Sequence, residues 1–106
     1  MDTKTFAHYD ARAKIIKAMA HPVRLFIVDE LFRSEKCVRE LTQMIGFDMS
    51  TVSKHLSVLK NAGIVQDEKR GSQVYYKLRM QCVMNFFGCV DSVLKDLAKE
   101  QIELAQ

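Results

Sequence analysis

The stretch G46-F-D-M-S-T-V-S-K-H-L-S-V-L-K-N-A-G-I-V65 decides the reading of this chain. Val52, Leu56 and Leu59 recur at three- and four-residue steps, with Val58 off that line, so one side of a short helix is apolar. The other side carries Ser50, Lys54, Ser57 and Asn61. The solvated face of a small helix usually mixes Glu with Lys, but no acidic residue occurs from Thr51 to Gln66. A slim polar face without carboxylates suits a surface that meets a polyanion.

Charge along the chain agrees. The 106 residues carry a net charge of only +3. Between residues 54 and 79 there are six basic side chains (Lys54, Lys60, Lys69, Arg70, Lys77, Arg79) and two acidic ones (Asp67, Glu68), a local excess of +4. The remainder therefore holds −1, and the positive charge sits on the segment in question.

Working outward, the single proline, Pro22, fits the first turn of a helix and ends the helix before it. Helices are predicted over about 4–19, with Phe6, Ile15, Ile16 and Met19 making apolar contacts, and over about 22–33, with Leu25, Ile27, Val28, Leu31 and Phe32 buried. The residues 33–36 form a short break. A third helix spans about 37–45, with Val38, Leu41 and Ile45 inward, and stops at Gly46. The fourth spans about 50–61, capped by Asp48 or Ser50 and closed by Gly63. The period then changes: 64–69 and 73–78 read as strands of a hairpin turning at 70–72. A last helix runs over about 80–103, with Val83, Phe86, Phe87, Val90, Val93, Leu94 and Leu97 in a stripe wide for a terminal helix, which marks a subunit interface.

The order predicts a mainly α (α+β) fold: a winged helix-turn-helix of five helices and a β-hairpin wing, as one domain over residues 1–106. In that fold the second helix of the pair enters the major groove, reading base edges with its N-terminal residues. The candidate DNA contacts are Ser50, Thr51, Ser53, Lys54, His55 and Ser57 on the helix, with Lys69 and Arg70 at the wing tip. Taken one at a time, the hydroxyls also read as caps and Lys54 as a solvated side chain; taken together, with a basic hairpin following, they point to DNA. His55 falls on the flank of the apolar side and reads as a partly buried, hydrogen-bonded histidine rather than a metal ligand or a catalyst. No nucleophile-plus-base set, glycine-rich phosphate loop or acidic pair suggests an enzyme. No apolar run reaches membrane-span length, and the N-terminus has no apolar signal core, so an intracellular, cytoplasmic protein without membrane contact is expected.

The stretches 17–31 (KAMAHPVRLFIVDEL), 37–41 (CVREL), 50–65 (STVSKHLSVLKNAGIV) and 68–78 (EKRGSQVYYKL) together resemble the ArsR/SmtB family of metal-sensing transcriptional repressors. The resemblance implies a homodimer built on the first and last helices, bound to double-stranded operator DNA and released by an inducer. Members sensing arsenite or cadmium carry Cys-Val-Cys at the third helix; here Cys37 matches the first cysteine and Arg39 stands at the second. The zinc-type site needs histidine on the last helix, which has none, and persulfide sensors place a cysteine where this chain has Asp29.

Three cysteines remain as candidate ligands: Cys37, Cys82 and Cys89. Their odd number and wide spacing do not suggest a secreted disulfide framework. Thiolates select soft ions, so arsenic(III), antimony(III), cadmium, zinc or copper(I) are the expected inducers, with no obligatory cofactor. Cys82 and Cys89 lie about 10 Å apart along one helix, too far to share an ion, so either the helix start unwinds at Cys82 or a site pairs one of them with Cys37, within one chain or across the dimer. The alternatives are a redox or sulfur-species switch on the same thiols, cysteines that are simply core, and, from another class, a winged helix that docks a protein.

Overall fold

The computed structural model describes residues 1–105. Five helices run α1 Thr3–Met19, α2 Pro22–Arg33, α3 Val38–Ile45, α4 Met49–Asn61 and α5 Val83–Ala105. Three short strands complete the fold: β1 Lys36–Cys37, β2 Val65–Arg70 and β3 Gln73–Leu78. The sheet is antiparallel in the order β1-β3-β2. The helix bounds follow local chemistry. Pro22 opens α2 behind His21, whose Nδ1 accepts from the Val23 N–H at 3.0 Å. Gly46 ends α3 at φ 82°, a left-handed position that suits glycine. Gly71 turns the hairpin at φ 62° and is followed by Ser72 at negative φ, as a II′ turn requires.

The core joins these elements around α4. Val52, Leu56 and Leu59 are fully buried, with Ile27 and Val28 of α2, Leu41 of α3 and Ile64 ahead of β2. Leu31, Val65, Tyr76, Leu78 and Val83 close the cluster. Val58 lies outside it and is exposed, as its position off the stripe predicts.

Three sequence expectations need correction. The break after α2 contains β1, which pairs Lys36 with Tyr76 and Cys37 with Tyr75; two residues carry no periodicity, so the strand is visible only through its distant partner. The last helix begins at Val83 rather than near 80, because Gln81 and Cys82 form a turn in which the Gln81 side-chain amide donates to the Leu78 carbonyl at 3.0 Å. Finally, Phe6, Ile16, Leu25 and Phe32 are exposed rather than packed within the chain, whereas the exposed Phe86, Val90, Val93, Leu94 and Leu97 are the stripe that the sequence left for a subunit interface. Their period is helical, but no surface within one chain receives them. The radius of gyration, 16.9 Å, exceeds the roughly 13 Å of a compact chain of this length, in keeping with an extent of 57 Å along the longest axis.

Truncating Leu56 to Ala removes a fully buried side chain at the centre of this cluster and is expected to destabilise the fold by about 3 kcal/mol, whereas Val58→Ala is expected to cost about 0.5 kcal/mol or less. Urea denaturation followed by circular dichroism measures both. Equal effects would contradict the assigned orientation of α4.

Candidate nucleic-acid interface

The interface is built on α4. Asp48 caps it: one carboxylate oxygen accepts from the Ser50 hydroxyl at 2.7 Å and from the Thr51 N–H at 2.8 Å. The same contacts, the Ser50 hydroxyl first, hold the Asp48 carboxyl down at about 2, well below its ordinary 3.8. The cap is therefore ionised at neutral pH, and its contribution fades only as pH falls from the ordinary carboxylate range towards 2. The helix N-terminus adds partial positive charge to this end.

Beyond the cap, the polar side chains fall where the sequence puts them. Ser50, Lys54 and Ser57 are exposed; Thr51, Ser53 and His55 are half-buried. Lys54 is in no ion pair among the described residues, so its ammonium is available to a phosphate. Lys60, at the far end, donates to Asp67 of β2 at 2.9 Å and ties the helix to the hairpin. His55 is hydrogen-bonded, as read from the sequence: Arg24 Nη1 of α2 lies 3.2 Å from its Nδ1, and the His21 ring is 4.5 Å away between centroids.

The wing differs from the expectation of two free basic residues. Lys69 is exposed and unpaired among the described residues, but Arg70 is engaged. Its Nη1 donates to Glu35 Oε1 at 2.6 Å, and its Nη2 to Glu35 Oε2 at 3.1 Å and to Glu68 Oε2 at 2.9 Å. The guanidinium also stacks 4.6 Å over the Tyr75 ring. Hydrogen bonding to Arg70 holds the Glu35 carboxyl below its usual range. Glu35 was not visible as a functional residue in the sequence, because it lies 35 positions from Arg70 and only the β1–β3 pairing brings the two segments together. His21 and Arg24 entered the sequence reading only as part of the stretch 17–31 that carries the family resemblance.

The candidate thiols are separated. Cys37 is buried where β1 meets α3, its backbone N–H donating to Glu40 Oε1 at 3.1 Å. Cys82 in the turn and Cys89 on α5 are exposed, and all three are free. Among the described residues no group of three or more His, Cys, Asp or Glu side chains is placed to hold a metal ion within one chain.

A polar helix N-terminus over a buried stripe, followed at once by a hairpin, is the arrangement of a winged helix-turn-helix. The sequence profile of the bacterial regulatory proteins of the arsR family matches residues 21–67, from the N-cap of α2 into β2. The nodulation protein NolR of Rhizobium meliloti is 32% identical over 91 residues, covering 84% of this chain and 75% of NolR. The chain belongs to the ArsR family. It is also 42% identical over 69 residues to the HTH-type transcriptional repressor SmtB of Mycobacterium tuberculosis, covering 65% of this chain and 51% of that protein. The chain thus spans about half the length of that relative. Among solved structures, the homodimeric winged helix-turn-helix DNA-binding domain of a possible ArsR-family regulator from Mycobacterium bovis superposes with a TM-score of 0.79 at 28% identity, over 94% of this chain and 93% of that one. Family and fold are those of DNA-binding transcriptional regulators rather than enzymes. No helix among the described residues is long and apolar enough to cross a membrane.

In this ArsR-family chain the wing arginine must exchange carboxylate for phosphate to touch DNA. The double variant Glu35→Gln with Glu68→Gln, which removes both carboxylates from Arg70, is expected to release it, tightening duplex binding several-fold at low salt and steepening the slope of log affinity against log salt by about 0.9, one further phosphate contact. Fluorescence anisotropy over a salt series reads both. An unchanged slope would show that Arg70 does not reach the backbone.

Proposed function

We propose that this chain is a transcriptional repressor that binds double-stranded operator DNA as a homodimer, with α4 in the major groove and the wing on the flanking backbone. The observation that carries the reading is the outward half of α4: Ser50, Thr51, Lys54 and Ser57 stand on a helix whose other half is fully buried, with no carboxylate after the cap. Ser and Thr at the helix start meet base edges, and Lys54 meets phosphate or guanine.

The dimer reading rests on the unpartnered apolar side chains. Ile16 of α1, Leu25 of α2 and Phe86, Val90 and Leu94 of α5 line an open groove of about 570 Å³. A second copy covers this surface and gives the stripes of α1 and α5 the partner that one chain lacks. Two Asp side chains, Asp29 and Asp91, share the groove, and burial followed by the nearby Asp91 charge raises the Asp29 carboxyl above its ordinary value.

The proposed inducer is a soft, thiophilic ion or metalloid, arsenic(III), antimony(III), cadmium, zinc or copper(I), held by thiolates of Cys37, Cys82 and Cys89. Cys82, in the turn that leads into α5, and Cys89, on α5, stand exposed at the proposed dimer face, so an ion bound there acts on the spacing of the two α4 helices, which must match half-sites about 34 Å apart. One observation favours a second reading: with no three-ligand group among the described residues of one chain, oxidation of exposed Cys82 or Cys89 by a sulfur species needs no such cluster.

The test is anisotropy of the reduced protein on its own upstream DNA, titrated anaerobically with each ion and then with a polysulfide in the absence of reductant. Release by one thiophilic ion is expected. Cys82→Ser and Cys89→Ser are expected to bind DNA within about twofold of wild type, as exposed substitutions do, and to lose the release. Release by polysulfide alone would favour the sulfur switch; tight binding that no titrant releases would overturn both sensing readings.

A further inference from the structure

His55 stands on α4 between the buried stripe and the open polar face. A neutral imidazole carries one proton, on either ring nitrogen, and its neighbours decide which. Here the neighbour is Arg24, whose Nη1 lies 3.2 Å from His55 Nδ1. A guanidinium keeps its protons at any pH a protein survives and can only donate. Nδ1 must therefore accept, and the ring proton of His55 sits on Nε2.

Two further observations sharpen this. His55 Nε2 has no hydrogen-bond partner among the described residues, yet it is not among the buried atoms left without one; only Arg24 Nε is. Nε2 is therefore not sealed from solvent. Moreover, the cluster holds no acid: the titratable and charged groups acting on His55 are His21, the N-cap of α2, and Arg24 within it, and neither is ion-paired among the described residues. His21 is itself fixed, since its Nδ1 accepts from the Val23 N–H at 3.0 Å. A proton added to His55 would have to enter at Nδ1, against the Arg24 guanidinium. Burial, with His21 and Arg24 behind it, accordingly pushes the His55 imidazole below its ordinary 6.5.

We infer that Arg24 is a positioning residue for DNA binding: by occupying Nδ1 it holds His55 in the Nε2–H tautomer, so that α4 presents a fixed N–H donor on its flank to a DNA phosphate oxygen. This rests on the DNA-binding reading above, and it joins α2 to the recognition helix through one hydrogen bond. It also sets a direction for pH. Because the folded chain keeps His55 neutral, the stability this brings is complete above 6.5 and is lost as pH falls below it.

The experiment is long-range ¹H–¹⁵N correlation NMR of the histidine rings in the full reduced chain, with duplex affinities of the same variants. Wild type is expected to show a bare Nδ1 and a protonated Nε2 on His55, titrating below 6.5. Arg24→Met is expected to give mixed tautomers, a titration moved up towards 6.5, and about three- to tenfold weaker duplex binding, the worth of one hydrogen bond. Arg24→Lys, which restores a donor, is expected to recover the tautomer. His55→Gln, whose side-chain amide stands in for Nε2–H, is expected to bind within about threefold of wild type. It keeps the test open if Arg24→Met does not fold, because a tenfold loss there would overturn the donor role. A protonated Nδ1 in wild type, or an unchanged tautomer in Arg24→Met, would overturn the positioning role. A shifted tautomer with unchanged affinity would overturn the phosphate contact. If wild type binds no duplex, the DNA reading fails, a result separable from the ring spectra.

Discussion

The burial of Val52, Leu56 and Leu59 is the constraint on which the rest depends. These three side chains pin α4 against α2, α3 and the root of the hairpin, and so fix the rotation of the helix about its own axis. Rotation decides function here. Turning α4 by one residue would bring Lys54 or Ser57 toward the core, where each would cost the desolvation of a polar group. With the rotation fixed, the uncharged and basic side chains face outward by necessity. Asp48 at the start and the Lys60–Asp67 pair at the end hold the two ends of the helix against fraying.

The two arms of the interface are prepared differently. On α4, Lys54 carries a charge and Ser57 a hydroxyl that have no partner among the described residues, so an anion arriving there would displace only water. On the wing, the Arg70 fork is already satisfied by Glu35 and Glu68 and flattened on Tyr75. Such a contact is solvent-exposed and salt-sensitive, so it holds the wing in shape without locking it. The arrangement gives a polyanion two kinds of contact: one immediate, one in competition with the protein's own carboxylates.

Much of the fold was legible because it is written in local chemistry. The helix bounds came from Pro22, Gly46 and Gly63, the hairpin from Gly71 and the alternation of 73–78, and the inward side of α4 from its period. What escaped was non-local. The strand β1 exists only because Tyr75 and Tyr76 lie opposite it. The exposure of Phe6, Ile16, Leu25 and Phe32 reflects a receiving surface that a single chain does not possess, which periodicity cannot reveal. At the interface, the side chains named from the sequence stand on α4 and the wing tip, but the residues that govern them do not announce themselves: Glu35 reaches Arg70 across 35 positions, and Arg24 reaches His55 across 31. The cysteines illustrate the converse. Cys89 falls on α5 as its position suggested, while the placement of Cys82 in the turn before that helix and the burial of Cys37 at the β1–α3 junction were not readable.

α4 is the surface proposed to meet DNA. Amide hydrogen exchange on the full chain, with and without a duplex from its own upstream region, tests this residue by residue. Slowed exchange concentrated at the start of α4, residues 49–57, and at the wing, residues 69–72, is expected. Protection confined to α1 and α5, with α4 unchanged, would mean that the chain meets its partner through another face.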